Sequence, residues 1–189
     1  TGIDPVAEAI ASKPFDYFDG MSFDDRVPSP SAYFGHEVGA RFHHHHEIMG
    51  YFDELAKRTD RVKLREYGST HQGRSLRIAI VTSPANHKRL DDILAANQLL
   101  TDPTISDAEA RRIIDSNPAI VWFSFNVHGN EASCSESALV TAYTMSAATA
   151  APITDWLDDI VLVIDPMVNP DGRERYVSWY ENAVGALAD

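Results

Sequence analysis

Two short runs hold the residues whose types and spacing could do chemistry: Phe125-Asn126-Val127-His128-Gly129-Asn130-Glu131 and Val168-Asn169-Pro170-Asp171-Gly172. In the first, an imidazole and a carboxylate stand three residues apart with a glycine between them. The backbone can turn sharply there, and both groups can reach one cation. Zn²⁺ accepts such mixed nitrogen and oxygen ligands tetrahedrally, and a hydrolytic site leaves the fourth place to water. H-x-x-E alone is a weak signal: with eight histidines in the chain, a chance match is on the order of an even bet. His44 and Glu47 repeat the spacing, but they open an amphipathic helix with no strand before it. The second run, alone, reads as a plain turn, since Asn-Pro and Asp-Gly both form turns. Each run, however, comes just after an apolar strand-sized segment, and open α/β sheets build their sites at that rim.

Those segments are Ala119–Phe125, apolar nearly throughout and so expected to be buried on both faces, and Ile160–Ile164. A small-residue helix from about Ser133 to Ala148 and a short helix near Trp156 connect them. Upstream, Ile48, Tyr51, Phe52 and Leu55 recur at helical spacing and predict a helix from His46. Val62–Tyr67 and Ser75–Thr82 predict a hairpin across Gly68–Gly73. Pro84 opens a helix to about Leu100, and Ser106, with Glu109 three residues on, caps another that Asn117-Pro118 ends. Residues 1–42 are broken by glycines and prolines and carry Phe15, Tyr17, Phe18, Phe23, Tyr33 and Phe34. That pattern predicts an irregular segment wrapping the surface of the domain formed by residues 43–189. Strands separated by helices give an α/β sheet with helices on both faces.

His-Gly-Asn-Glu after an apolar strand, then a small-residue helix, then a strand running into Asp165-Pro-Met-Val-Asn-Pro-Asp-Gly172, resembles the zinc carboxypeptidases. Tyr67-Gly-Ser-Thr-His-Gln-Gly-Arg74 resembles the hairpin preceding these motifs in that family, where Gly-x-Ser-x-x-Gly-Arg is usual and Thr70 here takes the Ser place. The resemblance runs from about residue 43 to 180. It implies a mixed, mostly parallel central sheet, Zn²⁺ as cofactor, His128 and Glu131 as zinc ligands, and hydrolysis of peptides or proteins at their C-terminus. The family's other zinc-binding His, an Asn-Arg pair that grips the substrate carboxylate, a Tyr and a general-base Glu lie downstream of Asn-Pro-Asp-Gly. After Gly172 this chain has no His, and Glu174 and Glu181 sit too close to the turn to match that base. Arg173 and Arg175 are also too close to be the family's substrate-polarising Arg. Residues 43–189 are thus expected to form the N-terminal half of a zinc peptidase catalytic domain, inactive alone. A zinc amidohydrolase or deacylase on the same scaffold, and a non-catalytic binding module keeping half the fold, are the competing readings.

Composition narrows the field. Apolar residues at 44% and charged residues at 23% are globular values, and the formal net charge is -12 with no basic patch, which argues against nucleic acid as partner. No apolar run is long enough to cross a membrane. A single cysteine excludes an internal disulfide, and the start at Thr1 suits a mature secreted or periplasmic protein as well as a trimmed one. His43–His46 reads as a surface loop or helix start, and Cys134 as a buried structural thiol. Asp165 reads either as a partner for His128 or as a strand-end cap. Arg41, Arg58, Arg61 and Arg65 read as a solvated face, and Trp122, Trp156 and Trp179 as core or interface packing.

Overall fold

The computed structural model describes residues 16–184; Phe15 and the rest of residues 1–15, and residues 185–189, lie outside them. In chain order the helices are α1 (Pro30–Phe34), α2 (His45–Arg58), α3 (Pro84–Lys88), α4 (Leu90–Leu99), α5 (Asp107–Ser116), α6 (Ser133–Ala147), α7 (Ile153–Asp159) and α8 (Pro170–Val184). The strands are β1 (Val62–Ser69), β2 (Ser75–Val81), β3 (Ala119–Ser124) and β4 (Ile160–Asp165). They form one sheet in the order β1-β2-β4-β3. The sheet is mixed, but among the described strands two pairings are antiparallel and only β3 with β4 is parallel. The expectation of a mostly parallel sheet fails within this chain for a local reason. The short link from β1 to β2 can only make a hairpin, whereas the α6–α7 crossover is long enough to return the chain parallel.

Helices cover both faces. Ile48, Tyr51, Phe52 and Leu55 of α2 are buried with Leu139, Ala142 and Tyr143 of α6 against Ala79, Val81, Leu162 and Ile164. On the other face Ile93 and Leu90 of α4 pack on Ile78, Ile80, Val161 and Val163. The helix from Pro84 breaks at Arg89, whose φ of -121° leaves the helical region. Buried Asn86 holds that first turn, donating to the carbonyls of Leu157 and Asp158. In the segment before α2, Phe18 and Phe23 meet Tyr143 at ring-centroid distances of 5.1 and 4.6 Å, and Phe23 forms a β-bridge with Ala148.

β3 is not buried on both faces. It lies at the edge of the described sheet, with Trp122 55% and Phe123 44% exposed. Its apolar run specifies a strand, but burial depends on neighbours, and only β4 pairs with it here. Trp156 and Trp179 are exposed as well, so none of the three tryptophans is core. No helix among the described residues is long and apolar enough to cross a membrane.

Candidate metal centre

The chain segments leaving β3 and β4 stay side by side beyond the sheet. Phe125 N–H donates to Asp165 O at 2.9 Å, Val168 N–H to Phe125 O at 3.0 Å, and Asn169 N–H to Asn126 O at 3.2 Å. The two runs singled out in the sequence are thereby held together. Asn-Pro-Asp-Gly is not a free turn: it is the first turn of α8. Asn169 caps that helix, its Oδ1 accepting from Gly172 N–H at 2.9 Å, and proline at the first helical position needs no hydrogen bond.

The start of α8 is the platform for the H-x-x-E loop. A Cβ on Gly129 would lie 2.0 Å from Gly172 C and 2.5 Å from Arg173 N, so only glycine permits this backbone contact. Asn169 Nδ2 donates to Val127 O at 3.2 Å. Asp171 accepts from Thr70 Oγ1 at 2.8 Å, Arg74 NH1 at 2.7 Å and Gln72 N–H at 3.2 Å, which docks the hairpin turn onto the same helix end. Thr70 supplies the hydroxyl that a serine would, so its departure from the family pattern leaves that contact intact. Burial raises the Asp171 carboxyl most, but the Thr70 and Arg74 hydrogen bonds together bring it below the usual range.

On this platform His128 Nδ1 and Glu131 Oε2 lie 3.3 Å apart, with side chains 73% and 55% exposed. Ligands about 2.0–2.1 Å from a tetrahedral zinc stand about 3.3 Å from each other. The separation and the nitrogen–oxygen donor set therefore suit zinc. Among the described residues no third His, Cys, Asp or Glu joins them in a group able to hold a metal. An open cleft of about 580 Å³ beside the loop is lined by Gly129, Asn130, Gly172, Arg175, Tyr176 and Trp179.

The remaining candidates fall elsewhere. Asp165 does not reach His128; it accepts from Tyr67 OH at 2.6 Å and from Met167 N–H at 3.3 Å, closing the strand end. Burial raises its carboxyl above the usual range despite these bonds. Glu47 accepts from His44 N–H at 2.8 Å, a helix-start contact, while the His44 ring lies between Glu174 and Glu181 at 3.0 Å each. His43–His46 is a helix start, but His43 is fully buried and only His46 is well exposed, so the run is not a surface feature throughout. The four arginines are not all solvated: Arg41 pairs with Glu47 and Arg61 donates to Ala148 O at 2.5 Å, while Arg58 and Arg65 are exposed. Cys134 is a free, half-buried thiol in the first turn of α6.

Sequence reasoning missed the cluster beneath the loop. Arg173, the largest fully buried side chain among the described residues, donates to Ala132 O at 2.5 Å, to His43 O at 2.8 Å and to Glu136 Oε1 at 2.6 Å. Glu136 also accepts from His43 N–H at 2.9 Å and contacts His43 Nδ1 at 2.6 Å. The available signal was Glu136, a lone charge inside a helix of small residues.

The family model described as Zinc carboxypeptidase matches residues 48–184. The chain belongs to the zinc carboxypeptidase family. Among solved structures it is similar to carboxypeptidase A from Helicoverpa armigera, with 18% identity and a TM-score of 0.53, over 90% of this chain and 32% of that one. It is also similar to thrombin activatable fibrinolysis inhibitor, with 16% identity and a TM-score of 0.50, over 80% of this chain and 30% of that one. These likenesses carry the fold. The chain thus spans about a third of the length of the solved structures it matches. No match was found among curated proteins.

Proposed function

We propose that this chain is part of a zinc metallocarboxypeptidase, which removes residues from the C-terminus of peptides or proteins, and that His128 and Glu131 are two of its protein zinc ligands. The observation that carries this reading is the 3.3 Å convergence of the two side chains at a sheet rim in a member of this family. Bound zinc would supply Lewis-acid chemistry, polarising a scissile carbonyl and acidifying water. The chain's own part is to present an imidazole nitrogen and a carboxylate oxygen at ligand spacing, on a loop fixed by Gly129 against α8. The cleft beside that loop leaves room for an extended substrate. A secreted or periplasmic location belongs to the same reading.

Two protein ligands are fewer than the three of a catalytic zinc site. The 189-residue chain by itself is therefore expected to bind zinc weakly and to hydrolyse no peptide. Calorimetric titration with Zn²⁺, for the wild-type chain and for His128→Ala, beside a peptide-hydrolysis assay, tests both statements. Weak binding that disappears in His128→Ala supports the ligand assignment, and identical binding by the two proteins refutes it. Submicromolar affinity with turnover would overturn the expectation of inactivity.

A further inference from the structure

Asn126 joins β3 to the metal loop and combines three features. It is buried, with 2% exposure. Its φ of 56° puts a non-glycine residue in the left-handed region, a conformation that persists where the surroundings impose it. Its side-chain Nδ2 donates to His128 O at 2.7 Å and to Glu131 O at 3.1 Å. One amide thus grips the main chain of both residues of the candidate pair. Its orientation follows from chemistry: two carbonyls can only accept, so the NH₂ group must face them. Oδ1 then faces the Ser135 hydroxyl at 3.3 Å, and that hydroxyl also lies 2.9 Å from Pro166 O. The amide is anchored at its far end to α6 and to the exit of β4.

The carbonyls do not need this amide to be satisfied. His128 O also accepts from Glu131 N–H at 3.0 Å, and Glu131 O from Cys134 N–H at 3.1 Å. Removing the amide orphans neither group, so its chief contribution is not fold stability. What it adds is a fixed span between two main-chain points on a loop whose working side chains are open to solvent. We infer that Asn126 is a positioning residue that presets the separation of His128 and Glu131, with its left-handed backbone aiming the amide back into the turn. A pair held at its working distance binds an ion without losing affinity to the ordering of the loop. The meaning for zinc rests on the proposed ligand assignment; the restraint on the loop does not.

Asn126→Gly separates the amide from the backbone. Glycine adopts a positive φ freely, so the turn survives and only the clamp is lost. Asn126→Ala loses the clamp and strains the turn. The backbone order of residues 127–132 is measured by ¹⁵N relaxation on the metal-free chain, with the melting temperature alongside, and Zn²⁺ affinity is measured by calorimetry. Asn126→Gly is expected to loosen 127–132 and to weaken zinc binding about tenfold or more, while its melting temperature moves by no more than about 4 °C. Asn126→Ala should loosen the loop equally and melt lower. Unchanged loop order in Asn126→Gly overturns the inference whether or not metal binds, and so does collapse of the whole fold in that variant. Unchanged zinc affinity on a loosened loop overturns the presetting role. If His128→Ala binds zinc like wild type, the ligand assignment falls and the relaxation result alone decides for or against Asn126.

Discussion

Replacing Arg173 by methionine should destabilise the protein more than any exposed substitution, because it takes from the buried Glu136 carboxylate the guanidinium it shares with His43 and from two carbonyls their donor. Arg173 and Glu136 side chains are 0% and 6% exposed and meet at 2.6 Å. Burial alone would raise the Glu136 carboxyl. The His43 hydrogen bonds and charge, with the Arg173 charge, outweigh burial and hold it below the usual carboxylate range. Removing one partner of such a pair costs about 3–5 kcal/mol, against a total stability of about 5–15 kcal/mol. For a domain of this size that is a fall of about 6–20 °C in melting temperature. Replacing both partners by apolar residues, Arg173→Met with Glu136→Leu, removes the carboxylate along with its lost cation. The double variant should therefore lose less than the sum of the two single losses, by about 2 kcal/mol. It should not return to wild type, because the carbonyls of Ala132 and His43 still lose their donor and the His43 N–H and ring lose the Glu136 carboxylate. Urea denaturation followed by circular dichroism gives all four stabilities. The sign with pH is fixed as well: stabilisation of a carboxylate with a lowered pKa is present above its ordinary range and disappears as pH falls. The deficit of Arg173→Met should accordingly be largest at neutral pH and shrink in acid, where Glu136 can take a proton. A single-variant loss below about 1 kcal/mol, or strict additivity in the cycle, would refute the reasoning.

Gly129→Ala should lower stability by about 1–3 kcal/mol and abolish whatever zinc binding the chain has, since the new methyl would overlap the backbone of Gly172; a wild-type melting curve would contradict this. His44 is pulled down by burial, but its hydrogen bonds to Glu174 and Glu181 outweigh that and raise its pKa. Its contribution is therefore full below the ordinary histidine value and lost as pH rises through the raised one, so the stability difference between wild type and His44→Gln should narrow as pH is raised above the ordinary histidine value of about 6.5, as melting temperatures would reveal. Thr70→Ser should leave the docking of the hairpin on Asp171 intact and Thr70→Val should loosen it, read as faster amide exchange at Gln72, whose N–H is held by the same carboxylate.

Local patterns are legible in the sequence wherever one element carries the information. Ile48, Tyr51, Phe52 and Leu55 announce α2, the alternation after Val62 announces the hairpin, and Ser106 does cap α5 by accepting from Glu109 N–H at 3.2 Å. The spacing of His128 and Glu131 permits convergence without fixing it, because a glycine widens the choices of the backbone and the start of α8 selects among them. Burial is not legible, because it belongs to neighbours: β3 carries the same kind of apolar run as β4, yet one lies at the edge and the other between two strands. The buried ion cluster is hidden for a related reason. His43 meets Glu136 across 93 residues and Arg173 meets His43 across 130, and a charged side chain with no local partner looks like a solvated one.

Asn169-Pro-Asp-Gly-Arg173 reads weakly for the same reason, and yet it does much. Each polar or small member addresses a different part of the molecule. Asn169 holds Val127 while capping its own helix. Asp171 holds the hairpin turn through Thr70, Gln72 and Arg74, the backbone of Gly172 receives Gly129 while its missing side chain leaves room for that of Asn169, and Arg173 reaches Ala132, Glu136 and His43. Viewed along the chain these are turn formers and a surface-like arginine. In space they are consecutive contacts of one rigid helix start, and most of the fixed points of the H-x-x-E loop lie on them. The placement of the H-x-x-E loop over the sheet rim is therefore conditional on α8 being docked. Disordering that helix would release Val127, Gly129 and Ala132 together while leaving β3 and the clamp of Asn126 in place.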